Sequence, residues 1–184
     1  MTPAPSATAR YATVATPPGP VTVLVSEDDD GADVVLGSGW TEDIEGMLGV
    51  IHPTLRPEAD ERVDWLPVLD VVTAFHEGDV TAIDSVRVRQ RSGPFREAAW
   101  EVMRTIPAGR PETYTEFAAR CGRPTAVRAA ASACSQNAVA LFIPCHRVHS
   151  VGGALGGFRW KVLVKSWLRD HEAAHAPVPA DAPL

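Results

Sequence analysis

The sequence has few cysteines, no long apolar run and no beginning typical of a secreted protein. Its three cysteines, Cys121, Cys134 and Cys145, are an odd number in a chain of 184 residues. A chain of this size folds without disulfides, so we expect free thiols. No apolar run approaches the roughly 18 residues of a membrane span. The first residues, MTPAPSATAR, lack the apolar centre of a signal peptide. These absences predict a cytoplasmic protein without a membrane partner.

The sequence also lacks the motifs of a metal site and of a phosphate-binding loop. The cysteines form no Cys-x-x-Cys pair, and we therefore predict no metal. The glycine-rich stretch GGALGG, residues 152–157, lacks the Gly-Lys-Ser/Thr ending of a phosphate-binding loop. It is either a closely approached binding loop or a turn, and we expect no cofactor.

Charge is unevenly distributed along the chain. The net charge is −6, but residues 1–86 contain 3 Lys/Arg and 16 Asp/Glu, a net of −13. Residues 87–172 contain 14 Lys/Arg and 6 Asp/Glu, a net of +8, and Asp181 supplies the remaining negative charge. A basic block within an acidic protein is typical of a surface that meets a polyanion. Ordinary solvated surface charge explains the pattern equally well.

The first half of the chain has the patterns of β-strands. RYATVAT, GPVTVLVSE and DDDGADVVLGSGW predict three strands, the first two joined as a hairpin or meander. Residues 47–61 show little periodicity and predict a loop with at most a short helix. A helix is then predicted by apolar residues at helical spacing, namely Leu66, Leu69, Val72 and Phe75. AIDSVRVRQ is either a last strand or a linker. We predict an acidic N-terminal domain, residues 1–88, with a small antiparallel β-sheet and a helix.

Helical patterns follow. SGPFREAAWEVMRTI begins with Ser92 as the N-cap candidate and Pro94 in the first turn. TYTEFAARC and the alanine-rich TAVRAAASAC predict two short helices separated by Gly122 and Pro124. They form either a helix-turn-helix, in which small side chains let a helix approach a groove closely, or an ordinary helical hairpin.

The last third contains three different segments. VALFIPCHRV is predicted as an apolar strand that ends at Pro144, and WKVLVKSWLRDHEAA is predicted as an amphipathic helix after the glycine-rich loop. We assign residues 89–174 to a mainly helical domain. Residues 175–184 are rich in proline and alanine, which predicts a disordered tail. The fold class expected for the whole chain is α+β.

Cys145 stands apart from the other cysteines because of its neighbours. A free thiol is only a few per cent thiolate near neutral pH, so a nucleophilic cysteine needs a base or a positive field. His146 could supply the base and Arg147 the charge. Adjacent residues on an extended strand point to opposite faces, so contact between Cys145 and His146 requires a turn or a bridging water. Cys121 and Cys134 lie within helical patterns and are interpreted as small buried hydrophobic residues.

The motif and its surroundings resemble a known family. QNAVALFIPCHRV, followed by a glycine-rich loop, an aromatic residue and an amphipathic helix that reaches Glu172, is similar to the O6-alkylguanine-DNA alkyltransferases, or methylated-DNA–protein-cysteine methyltransferases. The likeness is strong over about residues 92–173. It implies a DNA repair protein that binds double-stranded DNA from the minor groove and flips an O6-alkylguanine out of the stack. The alkyl group would pass irreversibly to Cys145, with no cofactor and with the protein acting as a monomer.

The resemblance also assigns roles to individual residues. Cys145, His146 and Glu172 match a relay in which a water links the thiol to the imidazole and the glutamate orients the ring. Tyr114 matches a tyrosine that gives a proton to the departing guanine, with core packing as the alternative. Arg128 matches an arginine that fills the space the base leaves, with a phosphate contact as the alternative. The DNA-binding candidates around Arg128 are Arg123, Thr125, Ala126 and Ala129. The substrate-pocket candidates are Asn137, Pro144, Val148, Phe158, Arg159 and Trp160.

The chain departs from the family pattern in the loop after the active site. Phe158 stands where many members have a tyrosine, and Arg159 and Trp160 stand where small residues are common. These departures concern the width of the pocket and the bulk of the adducts that fit it.

Three other functions remain in competition. A lesion-binding protein that transfers nothing would lack a reactive cysteine. A cysteine hydrolase would need an oxyanion hole. A helix-turn-helix regulator would make no use of Cys145, His146 and Glu172.

Overall fold

The computed structural model describes residues 8–177, beginning with a four-stranded sheet. The strands are β1 (Thr8–Val14), β2 (Val21–Glu27), β3 (Asp33–Gly39) and β4 (Ala59–Arg62), in the order β3-β2-β1-β4. β1–β2 and β2–β3 are antiparallel, as predicted, but β4 pairs with β1 in parallel. The sheet is therefore mixed. All four residues of β4 are exposed, so the strand has no alternation of apolar and polar residues from which it could be predicted.

Two helices accompany the sheet. Helix α1 (Ile44–Val50) lies in a region predicted to be mostly loop; the Asp43 side chain caps it by accepting from the Gly46 N–H, and Met47 is its buried residue. Helix α2 (Val68–His76) was predicted from its spacing, and Leu69, Val72 and Phe75 are buried. The segment after α2 is a short 3₁₀ turn (Ala82–Ser85) and an isolated bridge between Val88 and Val35 of β3, rather than a full strand.

Four helices and a two-stranded ladder form the second half. They are α3 (Pro94–Arg104), β5 (Glu112–Thr113), α4 (Tyr114–Arg120), α5 (Val127–Ser135), β6 (Val148–His149) and α6 (Val162–His175). The N-cap of α3 is Gly93 and not Ser92. Ser92 accepts a hydrogen bond from Arg96, and its N–H donates to the Glu97 carboxylate, so its hydroxyl is not available to the helix end.

The core runs through both halves of the chain. One hydrophobic cluster joins Val23 and Val35 of the sheet and Phe75 of α2 to Met103 of α3 and Leu168 of α6. Ion pairs also join the basic block, residues 87–172, to the acidic first half, since Arg87 and Arg89 bind Asp28 at 2.9 and 2.5 Å. Part of the predicted basic block therefore neutralises the acidic half. The division at residue 88 stays a prediction.

The C-terminal prediction is only partly within the described residues. His175, which was assigned to a disordered tail, is the last residue of α6. Residues 178–184 lie outside the described part of the chain. Within residues 8–177, no helix has the length and apolar character needed to cross a bilayer.

Candidate active site

A cavity of about 600 Å³ lies where the second half of the chain folds around Cys145. Helices α4, α5 and α6 and the glycine-rich loop all contribute to its wall. The lining includes these residues from the predicted site: Tyr114, Arg128, Asn137, Cys145, Phe158, Arg159 and Trp160. Pro144 and Val148 were also predicted as pocket residues, but they are buried and are not part of the lining.

The backbone around Cys145 is a tight turn and not the predicted strand. Leu141 has a positive φ of 79°, and Ala140 bridges to Ile143. Cys145–Arg147 then form a single 3₁₀ turn that begins after Pro144. A 3₁₀ turn does not send successive side chains to opposite faces as a strand does. The turn that contact between Cys145 and His146 requires is therefore built into the chain.

A buried network of charged side chains lies beside the cysteine. His146 is fully buried, and its Nε2 is 2.9 Å from Oε1 of Glu172. Arg147 is also buried and donates from Nε and Nη2 to the same carboxylate at 3.0 and 2.7 Å. Its Nη1 donates to the carbonyl oxygen of Ile106 at 2.7 Å. Helix α6 and the turn at Cys145 are joined by this network, although Cys145 and Glu172 are far apart in the sequence.

The network fixes which nitrogen of His146 can act as a base. Burial would raise the pKa of Glu172, but His146 and Arg147 outweigh it and hold the pKa at about 2. Glu172 is thus a carboxylate, which only accepts hydrogen bonds, so Nε2 of His146 must carry the proton. Burial lowers the pKa of His146 despite the opposing effect of Glu172. The ring is therefore neutral, and Nδ1, which has no hydrogen-bond partner among residues 8–177, presents a lone pair.

The thiol of Cys145 is under opposing influences. Burial raises the pKa of the thiol, whereas a hydrogen bond from Asn137 and the positive charges of Lys165 and Arg159 lower it. Burial is the larger effect, so the resting group is a thiol and needs a proton acceptor before it can react. A protected thiol in the same 3₁₀ turn as a neutral imidazole suits a nucleophile that is activated only when its substrate is present.

Tyr114 is positioned by the start of α4. Thr113 and Glu116 form a capping box in which each side chain accepts from the backbone N–H of the other residue. Tyr114, the first residue of the helix, lines the cavity. Burial, then the nearby Cys134 and Cys145, raises the pKa of Tyr114 to about 12. The phenol is therefore protonated across the neutral range and can act as a hydrogen-bond or proton donor.

Asn137 holds the turn before the cysteine. Its Nδ2 donates to the Ile143 carbonyl oxygen at 2.8 Å, and its Oδ1 accepts from the Val139 N–H at 3.1 Å. Gln90 donates to the same Oδ1 at 3.0 Å and accepts from the Ala138 N–H at 2.7 Å. Gln90 was not predicted as a site residue, because a glutamine in an irregular segment carries no pattern of its own.

Lys165 also lines the cavity, and it was not predicted from the sequence as a site residue. It is 1% exposed, and its Nζ donates to the carbonyl oxygens of Val148 and Leu155 at 2.7 and 2.6 Å. Burial lowers the pKa of this amine. The spacing of the helix could have predicted its burial. Lys165 precedes Leu168 by three positions and Glu172 by seven, so the three residues lie on the buried face of α6.

The DNA-binding candidates form one exposed surface at the start of α5. Arg123, Thr125, Arg128 and Ala129 are exposed, and Ala126, the N-cap of α5, is half-buried. The Arg123 guanidinium lies 5.3 Å from the centre of the Phe95 ring. Arg128 also lines the cavity, so this surface reaches the mouth of the Cys145 site.

Two cysteines differ from their predicted burial. Cys121 and Cys134 are half-buried rather than fully buried, and Cys134 lines the cavity. Burial nevertheless raises the pKa of both thiols. Within residues 8–177, no three His, Cys, Asp or Glu side chains are grouped so that they could hold a metal ion.

The chain is similar to known proteins over most of its length. The family model for the 6-O-methylguanine DNA methyltransferase, DNA binding domain, matches residues 94–174. The methylated-DNA–protein-cysteine methyltransferase of Shigella flexneri is 32% identical over 162 residues, covering 86% of this chain and 92% of that protein. The regulatory protein Ada of Salmonella typhimurium is 36% identical over 150 residues, covering 82% of this chain but 42% of that protein.

The fold agrees with a solved structure of the same kind. The crystal structure of Mycobacterium tuberculosis OGT in complex with DNA has a TM-score of 0.69 and 27% identity, covering 91% of this chain and 95% of that chain. The predicted α+β class is confirmed. With a 32% identical relative covered over nearly its whole length, the family resemblance is confirmed as well: this chain belongs to the methylated-DNA–protein-cysteine methyltransferases.

Proposed function

We propose that this protein repairs double-stranded DNA by moving the alkyl group of an O6-alkylguanine onto the sulfur of Cys145. The observation that carries the proposal is that Cys145 lines the cavity while the next residue, His146, is buried, neutral and hydrogen-bonded to Glu172. Family membership supports DNA repair by alkyl transfer, and the DNA complex of a related protein supports DNA as the partner.

The proposed reaction is a single displacement. His146 accepts the thiol proton at Nδ1, directly or through a water, and Glu172 stabilises the imidazolium that forms. The sulfur attacks the alkyl carbon, so the S–C bond forms as the C–O6 bond breaks. The electron pair of the broken bond goes to guanine, and the Tyr114 hydroxyl supplies the proton that guanine needs. Cys145 loses one proton and guanine gains one, and the balance closes when the proton held by His146 returns, through solvent, to Tyr114. The resulting thioether is a poor leaving group, so each molecule reacts once.

The damaged base must leave the helix to reach Cys145. A cavity of about 600 Å³ has room for one extruded base. Arg128, at both the exposed surface of α5 and the cavity mouth, would fill the space in the duplex, and the small Ala126 and Ala129 would let α5 approach the minor groove. We expect the protein to act as a monomer in the cytoplasm.

The test is an intact mass measurement. Purified protein is mixed with duplex DNA that contains one O6-methylguanine, and we expect a gain of one methyl group that stops at one equivalent. Cys145→Ala should gain nothing. Cys121→Ala, which removes a half-buried thiol outside the cavity, should gain a methyl group like wild type. Lesion binding without a mass change would overturn the proposal in favour of a recognition protein that transfers nothing.

A further inference from the structure

One part of the cavity wall, formed by Phe158 and Trp160, is supported by the N-terminal sheet. Phe158 and Trp160 belong to the loop that follows the glycine-rich stretch, and both line the cavity. Gly39, the last residue of β3, lies directly against the Trp160 indole. A Cβ added to Gly39 would be 2.7 Å from Cδ2 of Trp160 and closer still to Cε2 and Cζ2. Real Cβ atoms do not approach other atoms so closely, so any larger residue at position 39 must displace the ring.

Glycine is required at position 39 by this contact and not by a turn. Gly39 does not have the positive φ of the glycines at turns such as Gly31 and Gly78. Its backbone conformation is open to any residue, so the close approach of Trp160 is the local reason for glycine.

The next residue supports the other aromatic side chain of the wall. Trp40 is 7% exposed, and its ring centre lies 6.1 Å from that of Phe158. Trp40 also contacts His76 of α2, with ring centres 6.3 Å apart. Gly39 and Trp40 thus lie behind both aromatic residues of the wall.

The support is itself fixed to the segment that carries the cysteine. The Ser38 N–H donates to the Ala138 carbonyl oxygen at 2.9 Å, and the fully buried Ser38 hydroxyl donates to the Ala140 carbonyl oxygen at 2.8 Å. The end of β3 therefore has one defined position relative to Cys145. The loop before Phe158 contains the exposed Gly152, Gly153 and Gly157, which by themselves restrict its position little.

We propose that Gly39 and Trp40 are positioning residues that set how wide a substituent the cavity accepts, by holding Trp160 and Phe158 in place. This inference rests on the proposed alkyl transfer. It gives the N-terminal half a role in substrate choice although none of the described residues of that half lines the cavity. Moving Trp160 away from β3 pushes the ring into the cavity, which leaves room for a methyl group and excludes a bulky one.

The test compares two substrates in Gly39→Ala. Single-turnover rates are measured with duplex DNA containing O6-methylguanine or O6-benzylguanine. We expect methyl transfer within about threefold of wild type and a fall of at least about tenfold in the ratio of benzyl to methyl transfer, the range of discrimination that shape alone provides. Gly49→Ala is the matched control, because Gly49 has no positive φ and no atom of the described residues outside its immediate neighbourhood in the helix lies within 4 Å of an added Cβ; its ratio should equal that of wild type.

Two further variants separate positioning from a general loss of structure. In a Trp160→Ala background the ring is gone, so adding Gly39→Ala should leave the ratio unchanged; a Gly39→Ala effect that persists there would overturn the proposal. Trp40→Leu, which removes the ring behind Phe158, should shift the ratio by at least about threefold, and this variant decides the question if Gly39→Ala does not fold. Equal losses for both substrates would also contradict it. Absence of methyl transfer by wild type would instead refute the proposed function.

Discussion

At the scale of single residues, Glu172 sets the tautomer of His146 without lining the cavity of Cys145. Its carboxylate accepts from both His146 and Arg147 and is almost completely buried. A buried carboxylate with two cationic or polar donors holds one tautomer of the imidazole. The basic lone pair at Nδ1 of His146 is a consequence of this arrangement.

Replacing Glu172 with Gln tests this account. The variant keeps the size of the side chain but leaves Arg147 as a buried charge without a counter-ion. We expect a loss of about 3–5 kcal/mol in the free energy of unfolding and a fall of about 100-fold in the transfer rate, as for removal of general-base assistance. Urea denaturation and single-turnover kinetics with O6-methylguanine DNA measure the two effects.

A more exposed ion pair provides the control for Glu172→Gln, and the acid dependence of stability provides a second test. Glu112→Gln removes the more exposed pair with Arg120 and should cost no more than about 1 kcal/mol. The pKa of Glu172 is lowered from 4.5 to about 2 on folding. Its stabilising effect is therefore complete above pH 4.5 and is lost as the pH falls towards 2. A Glu172→Gln variant that lost as much stability as wild type between pH 4.5 and 2 would contradict this assignment.

Site residues that depend on contacts between distant parts of the chain could not be predicted from the sequence pattern. Cys145 and His146 could be singled out because they are adjacent and a thiol needs a base. The contact between His146 and Glu172 rested on the family resemblance, because no local pattern brings α6 to the turn at Cys145. Lys165 and Gln90 were missed because their importance comes from burial and from carbonyl partners that only the folded chain supplies.

At the scale of elements, the start of α4 controls where Tyr114 lies. Thr113 caps the helix by accepting from the Glu116 N–H at 3.2 Å, and Glu116 accepts from the Thr113 N–H at 2.7 Å. Helix α4 has seven residues, so it is too short to be stable without such help. The capping box therefore fixes both the first turn and the direction of the tyrosine at its first position.

Thr113→Ala should weaken this start. We expect a loss of about 1 kcal/mol in stability together with a slower transfer rate, because the Tyr114 hydroxyl is less well held. Thr115→Ala changes an exposed threonine of the same helix and should leave both quantities near their wild-type values. Thermal denaturation and single-turnover kinetics are the measurements. An equal loss in both variants would mean that helix propensity, and not the cap, is responsible.

Helices and strands with a regular spacing of apolar residues were predicted well, and those without such a spacing were not. Helix α2 follows from the spacing of its apolar residues, and β1 and β2 follow from alternation around Pro17 to Pro20. Strand β4 is fully exposed and pairs in parallel with a strand far away in the sequence, so it has neither signal. The apolar run before Cys145 has the composition of a strand, but the positive φ of Leu141 and the 3₁₀ turn after Pro144 break it.

At the scale of the whole molecule, fewer basic residues are free to bind DNA than the sequence totals indicate. Arg87 and Arg89 bind acidic residues of the first half, while Arg147 and Lys165 are buried in the site. These four residues belong to the basic block but are not free for a polyanion. We therefore propose that exposed basic residues, with Arg123 and Arg128 at the start of α5 among them, attract DNA to this acidic protein.

The salt dependence of DNA binding tests this distribution. Each phosphate contact that is lost lowers the slope of log K against log salt by about 1. Arg123 is exposed and lies over the Phe95 ring, with no carboxylate within ion-pair distance in the described part of the chain. We therefore expect Arg123→Ala to bind undamaged duplex more weakly and with a slope reduced by about 1.

Arg10→Ala provides the matched comparison. Arg10 is also an arginine with an exposed side chain, but it pairs with Asp33 in the N-terminal sheet at 2.5 Å. Its removal should leave the slope unchanged, because a pair within the protein releases no counter-ions from DNA. Fluorescence anisotropy over a range of salt concentrations gives both slopes. If Arg10→Ala lowered the slope as much as Arg123→Ala, the DNA contact would extend over the N-terminal sheet, and the surface at the start of α5 would not be its centre.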